Sequence, residues 1–206
     1  MSKYYSDTGY KVFFKLKPLI KKFLKINVKG IENIPLQGGC ILAANHKSHL
    51  DPLVLNTISP RPVLFLAKEE LFKPPLFGSF VKKAGAIPVS RNGRDIKSLK
   101  LALKALKDNQ CIGIFPEGTR MPPNKFGRAQ SGVGLLATRT GVPVIPVFIS
   151  GTEKILPRDY KFPKLFKYDI NISVGKPIFF SKDNDYKEAS QKIMEEIIKL
   201  RGKNHG

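Results

Sequence analysis

Acidic residues are scarce in this chain of 206 residues, where 16 Asp and Glu face 36 Lys and Arg and leave a net charge of +20. Such a surface seeks anions: nucleic acid, an anionic membrane leaflet or phosphorylated small molecules. Cysteine is also scarce. Cys40 and Cys111 sit inside apolar runs without C-x-x-C spacing, which excludes a disulfide framework or a zinc site and leaves two buried free thiols as the expectation. No stretch of 18 uncharged apolar residues occurs, so no conventional membrane-spanning helix is expected. The basic, aromatic N-terminus lacks the apolar core and small-residue cleavage site of a signal peptide. Walker loop, dinucleotide fingerprint and metal cage are all missing, so neither cofactor nor metal is expected.

What is present suits one domain with a single core, since 42% of the residues are hydrophobic. Continuous apolar runs at Cys40–Ala44, Val63–Ala67 and Cys111–Phe115 have the length of strands buried on both faces of a parallel sheet. Gly85–Arg91 reads as a short strand, Gly141–Ile149 as a strand whose prolines argue for an edge or a bulge, and Ile170–Val174 as the last strand. Helical stretches fall between them, at about 52–57, 76–83, 95–107, 131–139 with Gly141 as a stop, and 186–200. The expected architecture is an α/β fold with a mainly parallel or mixed central sheet flanked by helices, spanning residues 30–206. Residues 1–29 form a separate amphipathic segment in this reading.

Within that segment, Lys11 to Ile26 sort on a helical wheel. Val12, Phe13, Leu16, Leu19, Ile20, Phe23, Leu24 and Ile26 share one face, and Lys11, Lys15, Lys22 and Lys25 lie opposite. Pro18 interrupts the run, so two short helices or one kinked helix are expected. A helix packed on a core also shows a solvated polar face, but a polar face made of lysine and an apolar face rich in aromatics match a helix lying in a bilayer interface. Phe13, Phe14, Lys15, Leu16, Leu19, Ile20, Lys22 and Phe23 are the candidate contacts with an anionic membrane surface.

The sequence Asn45-His46-Lys47-Ser48-His49-Leu50-Asp51-Pro52 follows the first apolar run. If Asp51 begins a helix with Pro52 in its first turn, the loop can fold the carboxylate back onto the imidazole. A carboxylate on one ring nitrogen fixes the tautomer and frees the other nitrogen to take a proton from a hydroxyl. Asp-Pro is also an ordinary helix start, and a histidine at a strand end is commonly structural, so this spacing alone does not establish catalysis. Lys68, Arg91 and Glu117-Gly118-Thr119-Arg120 likewise follow apolar strand-like runs, which places them with His46 at one edge of the sheet, where α/β folds bind ligands. Arginine forks match phosphate oxygens, and a glycine lets backbone N–H groups approach. Lys68 is open between substrate phosphate and surface charge.

These stretches carry a resemblance to the 1-acylglycerol-3-phosphate acyltransferase family, within the wider glycerolipid acyltransferases. His46 to Asp51 resembles the family's first block, Gly85–Arg91 the second, Phe115–Arg120 the third and Val142–Val147 the fourth, in the family's order. The resemblance implies transfer of an acyl chain from acyl-CoA or acyl carrier protein to lysophosphatidic acid, giving phosphatidic acid, by an enzyme peripheral or monotopic on the cytoplasmic face of the membrane. It implies His46 as general base, Asp51 as its orienter, and Arg91 and Arg120 with Glu117, Gly118 and Thr119 at the acceptor phosphate. Ser90 stands where family members often carry an aspartate, and the role of Glu117 is open, since a carboxylate repels phosphate and can instead pair with an arginine or tie down loop N–H groups. Another lysophospholipid acceptor, an inactive membrane scaffold and a basic nucleic-acid-binding protein are the competing readings, the last without any recognised binding module.

Overall fold

The computed structural model describes residue 4 and residues 7–68, 86–89, 96–157 and 164–204. Seven strands among them form one sheet: β1 (Ile26–Lys29), β2 (Cys40–Ala44), β3 (Val63–Lys68), β4 (Ala86–Val89), β5 (Cys111–Ile114), β6 (Val144–Ser150) and β7 (Ile170–Val174), in the order β1-β7-β6-β2-β5-β3-β4. Every neighbouring pair is parallel except β6 with β7. The α/β reading holds, and the sheet is mixed. The helix expected over residues 76–83 lies outside the described residues.

Alternation along β2 sorts the core into two layers. Cys40, Leu42 and Ala44 join a cluster with α1 (Asp7–Phe23), α2 (Asp51–Ile58), the short α5 (Thr152–Ile155) and the residues around them, while Ile41 and Ala43 face a cluster fed by α3 (Ile96–Lys107), α4 (Ser131–Thr140) and α6 (Tyr186–Lys199). A sheet covered on both faces explains the continuous apolar runs. Local signals set the ends: Asp185 caps α6 by accepting from the N–H groups of Lys187 and Glu188 at 2.8 and 2.9 Å, and Gly141 closes α4 at φ 66°. Cys40 and Cys111 are free, buried and register partners across β2 and β5.

Two expectations need correction. The first concerns Ile26, which sits in β1 rather than on the helix: α1 is one helix containing Pro18, it ends at Phe23, and Ile26–Lys29 pairs with β7. Buried Ile26 and exposed Asn27 begin a period-two pattern that a helical wheel absorbs without notice. The second concerns β6, which lies inside the sheet between β7 and β2 rather than at an edge. Pro146 is tolerated because its carbonyl accepts from Gly175 N–H, so its nitrogen faces β7 at the point where the pairing shifts register, between Val144↔Ile178 and Val147↔Val174. The bulge alternative describes that shift.

Candidate active site

The carboxyl ends of β2, β3, β4 and β5 point the same way, and β5 and β6 flank β2 on opposite sides. His46 leaves β2 at that end, with the turn Glu117-Gly118-Thr119-Arg120 just beyond β5 beside it. Asn45 fixes the exit. Its buried amide donates to Ile149 O at 2.8 Å and accepts from Ile149 N–H at 2.7 Å, standing in for a backbone pair between β2 and β6.

Asp51 opens α2 with Pro52 in the first turn, and its Oδ2 accepts from His46 Nδ1 at 2.8 Å, Lys47 N–H at 2.7 Å and Ser48 N–H at 2.8 Å. One fully buried carboxylate oxygen therefore folds the whole loop. With Nδ1 donating to that oxygen, Nε2 is the nitrogen that can accept a proton. The ring is held flat against Phe115, centroids 4.1 Å apart at 16°. Phe115 in turn stacks on Phe65 at 6.0 Å, and Phe65 fills the space left by Gly113, where an added Cβ would come within 2.2 Å of its ring. Gly113 thus sets the imidazole through two rings.

Glu117 is buried and turned inward. Its Oε2 accepts from His46 N–H at 2.7 Å and its Oε1 from Gly127 N–H at 2.9 Å. It ties the His46 backbone to the loop after the turn, which fits the reading that Glu117 ties down loop N–H groups. Met121 N–H donates to His46 O at 2.9 Å and closes the same junction. Gly118 adopts φ 67°, a left-handed turn that only glycine enters without strain. Gly118 and Thr119 are exposed and Arg120 is half-buried. Lys68 ends β3 opposite Val89 of β4, at the catalytic end of the sheet; its side chain, like Arg91 as a whole, lies outside the described structure.

Two residues inside the first motif went unassigned in the sequence. Lys47 is buried, with its Nζ donating to Pro122 O at 2.9 Å and to Lys125 O, and lying 4.5 Å from the centre of the Phe126 ring. Burial lowers its pKa, opposed by Glu117, Glu153 and Asp51. It fastens the loop after Arg120 onto the histidine loop. His49 is exposed, and its pKa is lowered by desolvation first and then by the nearby charges of Arg120 and His46, with Asp51 opposing. Its position three residues after His46 was the available signal.

The acyltransferase family profile matches residues 25–150, a span that holds the His46 loop, Glu117 and the turn after it. The chain belongs to the acyltransferase family. It is 32% identical over 182 residues to the chloroplastic 1-acyl-sn-glycerol-3-phosphate acyltransferase of Brassica napus, covering 86% of this chain and 52% of that protein. It is 33% identical over 127 residues to the 1-acyl-sn-glycerol-3-phosphate acyltransferase of Bacillus subtilis, covering 61% of this chain and 63% of the relative. The chain thus spans about half the length of the plant relative. The crystal structure of the 1-acyl-sn-glycerophosphate (LPA) acyltransferase from Thermotoga maritima superposes with a TM-score of 0.73 at 27% identity, covering 93% of this chain and 79% of that one. Among the described residues, no helix of this acyltransferase is long and apolar enough to cross a membrane.

Proposed function

We propose that this acyltransferase moves an acyl chain from acyl-CoA or acyl carrier protein to the free hydroxyl of lysophosphatidic acid, making phosphatidic acid at a membrane surface. The observation that carries the reading is the His46 Nδ1 to Asp51 Oδ2 bond of 2.8 Å, which leaves Nε2 as base next to a turn able to receive phosphate. In the reaction His46 Nε2 takes the hydroxyl proton as the oxygen attacks the thioester carbonyl. The tetrahedral intermediate collapses with loss of the thiolate, which receives that proton from the imidazolium. Arg120 and the exposed Thr119 hold the acceptor phosphate, while the Gly118 N–H closes the turn by donating to Phe115 O at 3.0 Å, with Arg91 and Lys68 joining from the neighbouring strand ends. Asp51 orients the base, and Glu117 and Lys47 keep base and turn in register.

The membrane seat is α1, and the catalytic unit is the sheet with its helices. The boundary falls after Phe23, because β1 belongs to the sheet. Support comes from an inversion along α1. Lys17 is buried, whereas Val12, Phe14, Leu16, Leu19 and Phe23 are 43–55% exposed. A surface helix ordinarily turns its apolar stripe inward, and an apolar patch left outward marks an interaction surface. Ile20 packs against the core and Phe13 is half-buried, so neither joins the seat. With +20 of net charge, the chain rests peripherally on the anionic, cytoplasmic leaflet.

His46→Ala tests the reading directly. Transfer from a long-chain acyl-CoA or acyl carrier protein to lysophosphatidic acid falls by about 10²- to 10⁴-fold, the usual worth of a general base, with the thermal unfolding midpoint kept. Retained turnover, or a wild type that acylates no lysophospholipid, overturns it.

A further inference from the structure

The apolar side of α1 is not a uniform surface. Where α1 meets α2 it opens into a groove of about 310 Å³ lined by Leu19, Ile20 and Phe23 of α1, Leu24 just after it, Leu50 and Leu53 around the start of α2, and Leu165. Every lining side chain is Leu, Ile or Phe. That volume sits at the small end of the range for ligand pockets, and walls without a donor or acceptor suit hydrocarbon alone, since any polar group placed there would lose its hydrogen bonds to water.

The fold puts this groove at the catalytic end of the sheet. Lys17 of α1 bonds Ser59 O at the C-terminal end of α2, while the residues that follow it on α1 share the groove with Leu50 and Leu53 at the N-terminal end. The two helices therefore run in opposite directions, and the groove lies beside Asp51, whose carboxylate holds His46. The far wall belongs to the segment entering β7, held to α1 by the Phe23 and Phe166 rings at 5.3 Å and to the turn after α1 by Ile170 N–H donating to Lys25 O at 3.1 Å. The outer rim is apolar and continuous with the exposed face of α1 through Leu16, Leu19, Phe23 and Phe166. Exposed Lys22, Lys25 and Lys167 stand around it.

We propose that this groove receives the hydrocarbon chain of the lysophospholipid acceptor, a reading that rests on the acyltransferase function above. The acceptor's chain starts in the bilayer, and the apolar rim lets it slide sideways from lipid into the groove without crossing polar surface. The lysines at the rim attract its anionic head group on entry, and with the chain seated the phosphate passes on to the turn at Arg120 and the glycerol hydroxyl to His46 Nε2. The groove fits the acceptor better than the donor because it opens on the face that α1 turns to the lipid.

Photolabelling tests the occupant without requiring turnover. A lysophosphatidic acid with a diazirine at the chain end, carried in phosphatidylcholine and phosphatidylglycerol vesicles, is irradiated with the full chain, and the labelled residues are mapped by mass spectrometry. Labels on Leu19, Phe23, Leu53 and Leu165, displaced by unlabelled lysophosphatidic acid, support the proposal. Labels confined to Val12, Phe14 and Leu16 overturn it in favour of plain bilayer contact, and groove labelling by a diazirine acyl-CoA instead of the acceptor overturns it in favour of the donor. Transfer to the same probe, measured in parallel, reports the function separately, so labelling kept without transfer condemns the acyltransferase reading and not the groove. As a second readout, acceptors short enough to dissolve as monomers gain up to about fourfold in kcat/KM per added methylene. Leu165→Trp, which fills the groove from an exposed position, flattens that dependence while leaving the donor KM unchanged; an unaltered dependence counts against the groove.

Discussion

The loop from Asn45 to Asp51 and the helix α1 that packs near it invert each other's polarity. Around His46 the polar groups are inside: Asn45, Lys47, Ser48, Asp51 and Glu117 are all buried, and their partners are mostly backbone groups of neighbouring segments. Along α1 Val12, Phe14, Leu16, Leu19 and Phe23 stand outside among exposed lysines, and the buried side chain at mid-helix is Lys17. Directional bonds in a dry setting give fixed geometry, which a proton transfer needs to within a few tenths of an ångström. Apolar area gives attraction without direction, which suffices for resting on a fluid surface. Each region would fail in the other's role.

The largest effect should come from breaking the buried side of this contrast with a change of one atom. Asp51→Asn keeps the shape, and one carbonyl oxygen can still serve the three donors that share Oδ2, but the negative charge beside the imidazole is gone. The imidazolium formed as the hydroxyl gives up its proton loses its counter-charge, and kcat falls by about 10²- to 10⁴-fold with little change in acceptor KM. Kinetics at saturating donor decide this, and a pure KM effect would move Asp51 from orientation to binding. On the other side, Val12→Asp with Leu16→Asp places two charges on the exposed face of α1, away from the groove. Each lost apolar contact is worth about 1.5–3 kcal/mol when fully buried, so vesicle sedimentation should weaken by about tenfold or more while turnover of monomeric short-chain acceptors holds. Unchanged sedimentation would return α1 to ordinary surface.

Glu117→Gln sits between the two in size. One of the two N–H groups that Glu117 serves, from His46 or Gly127, then faces an amide NH₂ instead of an oxygen. An unmet buried donor costs about 1–3 kcal/mol, which lowers Tm by about 2–12 °C in a domain of this size. The loss of activity should track the loosened His46 backbone and exceed what the unfolded fraction explains. Normal stability with normal kinetics would show that Glu117 is dispensable as a brace.

The order of the described elements, the returning carboxylate and the nearness of His46 to the turn after β5 were legible because each depends on local pattern: apolar runs, a helix start at Asp-Pro, a glycine stop. What stayed hidden depends on partners far along the chain. Nothing in the spacing tells that Asn45 will pair with Ile149, that Lys47 will turn inward onto Pro122 and Phe126, or that the hole at Gly113 will seat Phe65 and steady Phe115 under His46. A helical wheel has no inside or outside either. It grouped Ile20 and Leu24, which face the core, with Leu16 and Phe23, which do not, and missed that Lys17 lies against α2.

Lys17 also provides the mildest perturbation of the contrast. Its ammonium donates to Ser59 O at 2.7 Å and to Tyr10 Oη at 3.1 Å, and lies 4.9–5.7 Å from the ring centres of Phe14, Tyr10 and Phe13. Ser59 caps the C-terminal end of α2, where a positive charge is favoured, yet burial still pulls the lysine's pKa down to about 8. Below that pH the group is charged whether folded or unfolded. Between about 8 and the ordinary 10.5 the unfolded chain holds more protons, so the folded state gains stability as pH rises through this window. Thermal unfolding from pH 7 to 10 should show that rise in the wild type. Lys17→Met, which fills the same space without charge, should show a flatter profile on an equal or higher baseline. Parallel profiles would mean that the lysine reaches water, and that the inner side of α1 is less dry than its packing against α2 indicates.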